Sequence, residues 1–235
     1  MSTLEERIEF VRDRIERACQ EAGRPAGDVE LIAVSKTVDE TVVRQAIGLG
    51  LSHFGENRVQ DATVKFSGLG DPNIRLHLIG QLQSNKARAA ARVAHLIESV
   101  DRLSLVEALE RDAARLASSS ELAAGPRLPV LLQVNVAREE QKSGCAPEDA
   151  AAIVEAILAA PTLELRGLMT IAPLVPVSEE ARPTFVALRE LRDDLSSRYP
   201  QATLSTLSMG MTNDFEVAIE EGSTSVRVGR AIFAG

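Results

Sequence analysis

The chain has 235 residues, of which 45% are hydrophobic and 26% are charged, and 26 basic against 34 acidic side chains give a net charge of −8. This length suits one α/β barrel, so we expect a single domain over residues 1–235. The acidic balance argues against nucleic acid and anionic membranes as partners, and no apolar run reaches the roughly 20 residues of a transmembrane helix.

The N-terminal segment is charged and amphipathic, and it lacks the apolar core of a signal peptide. Two cysteines, Cys19 and Cys145, lie far apart and lack the spacing of paired metal ligands. These features predict a cytoplasmic protein without disulfide bonds, and they give no indication of a metal site.

The first predicted helix begins at a capping box, because Thr3 and Glu6 have the spacing that satisfies two backbone N–H groups. Its apolar residues recur at helical spacing, and the helix should end near Gly23 and Pro25. The apolar face consists of Leu4, Ile8, Val11, Ile15 and Cys19.

An apolar strand over residues 31–37 follows this helix, and Lys36 lies at its end. Strand alternation places Ile32, Val34 and Lys36 on one face, and burial of that face would favour the free, nucleophilic amine over the ammonium ion. Such a lysine suits the capture of a carbonyl compound. A lysine that extends out of the core to pair with a surface carboxylate explains the strand equally well, so both interpretations stay open here.

The remaining chain alternates between strands and helices. The spacing of Thr37 and Glu40 predicts a capping box for a helix that ends at Gly48 or Gly50. Eight strands separated by helices favour a parallel sheet closed into a (β/α)8 TIM-type barrel behind the N-terminal helix, with a doubly wound open sheet as the alternative. Residues 118–128 and 172–176 are predicted loops. The strands after the first are predicted at residues 51–54, 76–79, 96–100, 130–136, 163–169, 204–207 and 226–228.

An α/β barrel carries its active site at the carboxyl ends of its strands, so the residues there are the candidates for function. Glycines follow the last two predicted strands, at Ser208–Gly210 and Gly229–Arg230. Although a single glycine is more often a turn residue, glycines clustered near a hydroxyl let backbone N–H groups approach a phosphate. The other predicted strand ends carry Lys36, Gly55–Asn57, Gly80–Gln81, Ser99, Asn135 and Met169–Thr170.

Arg227 alternates with Val226 and Val228 in the last strand. If the valines pack outward against helices, the guanidinium points into the barrel, where a charge must be paired or serve a ligand. A salt bridge with a barrel carboxylate such as Glu56 is the alternative to a ligand-binding role.

Several motifs, in order, resemble those of the YggS/PROSC family of pyridoxal 5′-phosphate (PLP) homeostasis proteins, and the match runs from the Lys36 strand to the C-terminus. The resemblance implies a single barrel like the N-terminal domain of alanine racemase, with PLP held as a covalent aldimine on Lys36. The motifs are Phe54–Asn57, His77–Lys86, Gly167–Thr170, Leu207–Phe215 and Val226–Gly229.

The same resemblance assigns the other cofactor-binding residues. Ser208, Gly210 and the amides of Gly229 and Arg230 would hold the phosphate, and Arg227 would face the pyridine nitrogen. Asn57 and Met169 would line the ring. Many relatives carry a small residue, often Thr, in place of Arg230, so here the resemblance implies a backbone contact rather than a hydroxyl contact.

Catalysis at Cα needs an electron sink and a placed acid or base. An arginine at the pyridine nitrogen keeps it unprotonated and weakens the sink, and the single tyrosine, Tyr199, follows a predicted helix away from the strand ends. His53, His77 and His95 are interpreted as structural residues. We therefore expect no catalytic residues and no metal.

We therefore expect a PLP carrier that exchanges the cofactor with PLP-dependent apo-enzymes or amines, and a monomer with an open site would suit that exchange. A weakly active PLP-dependent amino-acid racemase is the first alternative. A Schiff-base aldolase barrel without cofactor is the second, and it places no demand on Arg227. The segments Gln81–Lys86 and Lys142–Gly144 look like family motifs to which the sequence assigns no chemistry.

Overall fold

The computed structural model describes residues 2–139 and 141–234, and the strands of this described part form a closed barrel in chain order from β1 to β8. The strands are β1 Glu30–Val34, β2 His53–Glu56, β3 Arg75–Leu78, β4 Leu96–Val100, β5 Leu128–Gln133, β6 Leu163–Met169, β7 Thr206–Met211 and β8 Ser225–Val228. The α-helices of the same residues are α1 Leu4–Glu21, α2 Glu40–Gly48, α3 Val59–Phe66, α4 Ala87–Val93, α5 Leu103–Ser118, α6 Ala150–Leu158, α7 Arg182–Arg198, α8 Phe215–Glu220 and α9 Arg230–Phe233.

Pairing between the first and last strands closes the barrel. Strand β1 runs parallel to β8, with Ile32 opposite Arg227, and every other neighbouring pair is parallel as well. The predicted (β/α)8 barrel is therefore confirmed, and the open-sheet alternative is wrong.

The capping prediction is confirmed for α1 and wrong for α2. Thr3 and Glu6 form the predicted reciprocal capping box of α1. In α2 the N-cap is Asp39, whose carboxylate accepts a 3.0 Å hydrogen bond from the N–H of Val42. Asp is as good an N-cap as Thr. Asp39 directly precedes the first helical residue, Glu40, whereas Thr37 lies too far from it to act as the N-cap.

Two predicted strand positions differ from the structure in ways that matter for the site. Strand β1 ends at Val34, so Lys36 lies in the following turn. Strand β7 runs from Thr206 to Met211 rather than over residues 204–207, and it pairs with β8 through Ser208 opposite Ser225. A barrel strand can continue through polar residues when these face a polar interior. A prediction that looks for runs of apolar residues ends such a strand too early.

The apolar core lies mainly between the barrel and its helices. Phe54, Val226 and Val228 are fully buried in this layer. Segments 119–127 and 172–176 form turns and irregular backbone, as predicted for the two loops. No helix among residues 2–139 and 141–234 is long and apolar enough to cross a membrane.

Candidate cofactor site

A cavity of about 580 Å³ opens at the carboxyl ends of the strands, and its size falls within the range of small-molecule sites. Its wall includes Lys36, Asn57, Arg227, Gly229 and Arg230, five of the residues that the sequence assigns to a cofactor. Met169, Ser208 and Gly210 do not line it. The strand ends thus bring together most, though not all, of the sequence-assigned residues.

Lys36 is an exposed residue of the β1–α2 turn and lines this cavity. The expectation that Lys36 is buried is therefore wrong, because the strand ends two residues earlier. Among the described residues, no carboxylate lies within salt-bridge distance of Lys36, so the ion pair of the alternative is not formed either. The structure leaves an amine accessible at the mouth of the cavity.

The residue before Lys36 is anchored by a buried carboxylate. Glu56 is fully buried, and its Oε1 accepts hydrogen bonds from Ser35 Oγ at 2.7 Å and Lys65 Nζ at 2.8 Å. Lys65 also donates to the carbonyl oxygen of Ser35 at 2.7 Å. These contacts hold the end of β1 and so fix where the Lys36 side chain begins.

Arg227 points into the barrel, as its alternation with valines predicts. It is 4% exposed and reaches the cavity, and its Nη2 donates to the carbonyl oxygen of Thr170 at 2.7 Å. Its Nη1 donates to Ser208 Oγ at 2.5 Å. Burial lowers the pKa of Arg227, while Glu98 and Asp214 oppose that shift. The alternative of a salt bridge with a barrel carboxylate is confirmed, but the partner is Glu98 at 3.9 Å. Glu56, the partner suggested from the sequence, bonds Ser35 and Lys65 instead.

Glu98 is the carboxylate that faces Arg227, and sequence reasoning missed it. Its Oε2 lies 3.9 Å from Arg227 Nη1 and accepts a 2.6 Å hydrogen bond from Ser208 Oγ, while Oε1 lies 2.7 Å from His77 Nδ1. Burial raises the pKa of Glu98, but His77, Arg227 and Ser208 together lower it below the ordinary value. Glu98 is thus an ionised counter-charge, and the only sequence signal for it was a polar residue inside an apolar strand.

Ser208 and Met169 lie below the cavity wall. Ser208 is fully buried in the middle of β7, where its hydroxyl joins Glu98 to Arg227. Met169 is also fully buried, at the end of β6. The hydroxyl that does reach the cavity after β7 is that of Thr212, which belongs to the same Leu207–Phe215 motif. The family resemblance assigned Ser208 to the phosphate, and the predicted end of the strand at residue 207 agreed with that assignment.

Glycines shape the loops around the cavity. A Cβ on Gly80 would lie 2.2 Å from the carbonyl oxygen of Asn57, so only glycine allows these two strand ends to approach so closely. Gly210 has φ +94°, and a Cβ there would lie 2.7 Å from the Cβ of Ala218. Gly210 therefore permits the packing of α8 against β7.

Positive charge dominates the cavity wall. Among the described residues, Lys36, Lys142, Arg227 and Arg230 line it, against the one carboxylate of Asp214. Lys142 also pairs with Glu139, and Arg227 with Glu98, outside the wall. The Asp214 carboxylate accepts a 2.6 Å hydrogen bond from the N–H of Met211, and burial raises its pKa. In a chain with a net charge of −8, this concentration of cations marks a site for an anionic ligand.

The two motifs without assigned chemistry contribute to the cavity wall. Gln81, Lys142 and Ser143 line it. Lys142 Nζ donates to the carbonyl oxygen of Ala172 at 2.8 Å, which ties the segment after β5 to the loop after β6. Lys86 lies in a short 3-10 turn and does not line the cavity.

Comparison with known proteins places the chain in a family. The family model of the alanine racemase N-terminal domain matches residues 10–235. The chain is 46% identical to the pyridoxal phosphate homeostasis protein of Pseudomonas aeruginosa, over 99% of this chain and 96% of that one. It is 42% identical to the protein of the same name from Aquifex aeolicus, over 97% and 96%.

A solved structure agrees with these relatives. The structure of PipY from Synechococcus elongatus with PLP bound has a TM-score of 0.84 and 36% sequence identity, and the match covers 99% of this chain and all of that one. The chain therefore belongs to the YggS/PROSC family of pyridoxal phosphate homeostasis proteins, whose barrel is that of the alanine racemase N-terminal domain.

Proposed function

We propose that this protein binds PLP through a Schiff base on Lys36 and acts in PLP homeostasis, passing the cofactor to apo-enzymes or amines. Its relatives from Pseudomonas and Aquifex carry the homeostasis name, and PipY binds PLP. In this proposal residues 1–235 act as one domain, in line with the family model that matches residues 10–235, and as a monomer.

The observation that carries the proposal is the pairing of an accessible amine with a cationic wall in one cavity. Lys36 supplies the amine, and Arg227 and Arg230 supply charge for an anionic tail. PLP provides an aldehyde that condenses with an amine and releases water. The donor set therefore fits this cofactor, which has an aldehyde at one side of its ring and a phosphate at another.

We place the phosphate at the loops after β7 and β8. Thr212 offers a hydroxyl there, and Gly229 and Arg230 offer backbone N–H groups on the same wall. A Cβ on Gly229 would lie 3.2 Å from the carbonyl oxygen of Val34, so a side chain would crowd this part of the wall. In this arrangement Thr212 takes the role that the sequence assigned to Ser208.

The surroundings of Arg227 favour a protein that holds PLP over one that catalyses a reaction with it. Its guanidinium is fixed by Thr170, Ser208 and Glu98, so it presents a permanent cation and would oppose protonation of a pyridine nitrogen beside it. Among the described residues, the cavity wall has neither histidine nor tyrosine. Tyr199 donates instead to Glu155 Oε1 at 2.6 Å, at the end of α7. These features favour a carrier over the racemase alternative.

Absorption spectroscopy tests the proposal. Reconstituted wild-type protein should show the visible band of a PLP Schiff base, and Lys36→Ala should lose it. Lys86→Ala is the matched control, because Lys86 lies outside the cavity and should keep the band. A second step mixes the reconstituted protein with a PLP-dependent apo-enzyme and follows the recovery of its activity. A colourless wild-type protein, or a Lys36→Ala variant with an unchanged band, would overturn the proposal.

A further inference from the structure

A buried lysine outside the cofactor cavity contacts the residue that precedes Lys36. Lys65 lies in the last turn of α3, and its side chain is only 12% exposed. Its Nζ donates to Glu56 Oε1 at 2.8 Å and to the carbonyl oxygen of Ser35 at 2.7 Å. Lys65 does not line the cavity, so the proposed function gives it no part in holding PLP.

The inward course of the Lys65 side chain is unusual for a lysine at the end of a helix. Such a lysine ordinarily keeps its ammonium group in water, near the free carbonyl groups of the last turn. Here the neighbouring Phe66 packs on Phe54 of β2, with 5.5 Å between the ring centroids. This contact holds the end of α3 against the strand that carries Glu56, and the ammonium group reaches the end of β1 instead of solvent.

Glu56 gives the buried ammonium group its counter-charge. The carboxylate is fully buried, and its second oxygen, Oε2, has no hydrogen-bond partner among the described residues. Removal of one partner from a buried ion pair is strongly destabilising, because the other charge is then left without compensation. Lys65 and Glu56 therefore hold each other in place beneath the turn that carries Lys36.

The polar groups of Ser35 are all hydrogen-bonded. Its N–H donates to the carbonyl oxygen of Gly55 at 3.0 Å, and its hydroxyl donates to the buried carboxylate at 2.7 Å. Its carbonyl oxygen accepts from the N–H of Val38 at 3.1 Å as well as from Lys65. That carbonyl belongs to the peptide unit whose N–H is that of Lys36, and a peptide unit is planar. Lys65 thus fixes the plane from which the Lys36 residue begins.

The position of the Lys36 amine depends on this backbone. Lys36 is exposed, its side chain is long and flexible, and no carboxylate of the described residues lies within salt-bridge distance of it. A misplacement of about 1 Å caused by a remote substitution can slow a reaction about 100-fold. A fixed starting point for the side chain is therefore the means by which the fold can direct this amine.

We propose that Lys65 is a positioning residue for the capture of PLP, because it holds the Ser35–Lys36 peptide unit and so keeps the Lys36 amine at the mouth of the cavity. This inference rests on the proposed Schiff base at Lys36. Lys65 acts through Ser35 and Glu56, and it touches neither the cofactor nor the reacting atoms. It should change how fast the amine captures bound PLP and leave the entry of PLP into the cavity unaffected.

Stopped-flow absorption separates these two steps. Apo-protein is mixed with a series of PLP concentrations, and the growth of the Schiff-base band gives a limiting rate constant and a half-saturating PLP concentration. We expect Lys65→Met to lower the limiting rate constant by about 10-fold or more and to leave the half-saturating concentration within about 2-fold of wild type. Lys86→Met is the matched control, because Lys86 lies in a short 3-10 turn outside the cavity and should leave both constants unchanged.

A second variant separates positioning from stability. Lys65→Met leaves Glu56 charged and unpaired, whereas the added change Glu56→Gln removes that charge without restoring the donor to the Ser35 carbonyl oxygen. Circular dichroism should show that the double variant unfolds at a higher urea concentration than Lys65→Met, while it still captures PLP as slowly.

Two results would overturn this inference alone: an unchanged limiting rate constant in Lys65→Met, or a rate that recovers together with stability in the double variant. Either result would show that Lys65 only neutralises Glu56. A wild-type protein that forms no band would overturn the proposed function, and this inference with it.

Discussion

Replacement of Glu98 by glutamine removes the counter-charge of the barrel interior while keeping the side-chain size. Glu98 is fully buried and interacts with His77 at 2.7 Å, Ser208 at 2.6 Å and Arg227 at 3.9 Å. A glutamine amide keeps one acceptor oxygen but turns an N–H donor toward either His77 or Ser208. Since removal of one partner from a buried ion pair costs about 3–5 kcal/mol, we expect Glu98→Gln to lower the free energy of unfolding by about 3 kcal/mol.

Urea unfolding followed by far-ultraviolet circular dichroism measures this loss in a chain without tryptophan. Glu164→Gln is the control, because its pair with Arg166 is partly exposed and should be worth about 0–1 kcal/mol. In a double-mutant cycle, Glu98→Gln combined with Arg227→Met should cost less than the two single changes added together, by about 1 kcal/mol or more. Additive costs, or a Glu98→Gln loss no larger than that of Glu164→Gln, would refute the counter-charge assignment.

Three further predictions concern the cavity and the thiols. Thr212→Val should weaken retention of PLP by about 10-fold or more in equilibrium dialysis, because a hydrogen bond to a charged group is lost, whereas Thr63→Val on α3 should not. Equal retention by both variants would remove Thr212 from the phosphate site. Gly80→Ala should destabilise the fold by about 1–3 kcal/mol and displace Asn57, and Gly68→Ala, where nothing lies within 4 Å of a new Cβ, should be nearly neutral. Burial raises the pKa of Cys145 to about 12, so its thiolate fraction at pH 8 is about 1 in 10,000 and iodoacetamide should modify it only after unfolding; rapid labelling of native protein would contradict this burial.

The fold was predictable because strand and helix signals alternate along the chain. Leu96–Val100 and Leu163–Met169 have the predicted bounds, since each is an apolar run that ends at a clear break. Arg227 was predictable for a related reason, as it alternates with valines that pack outward. Such local patterns carry the information that sets the barrel and the direction of its side chains.

The interior polar network was not predictable, because its members come from different strands. Glu98 meets Ser208 across 110 residues of sequence, and His53 meets His77 across 24. Only closure of the barrel brings these groups together, so no motif of fixed residue spacing could predict their contacts. The predicted extent of β7 was wrong for the same reason, since the groups that hydrogen-bond the Ser208 side chain come from other strands.

Borohydride reduction followed by peptide mass spectrometry tests the central proposal most directly. The chain has four lysines, at positions 36, 65, 86 and 142, and two of them, Lys36 and Lys142, line the cavity. Reduction of the PLP-loaded protein should fix the cofactor on the Lys36 peptide at close to one equivalent per chain. Labelling concentrated on Lys142 or spread over all four lysines would contradict the account.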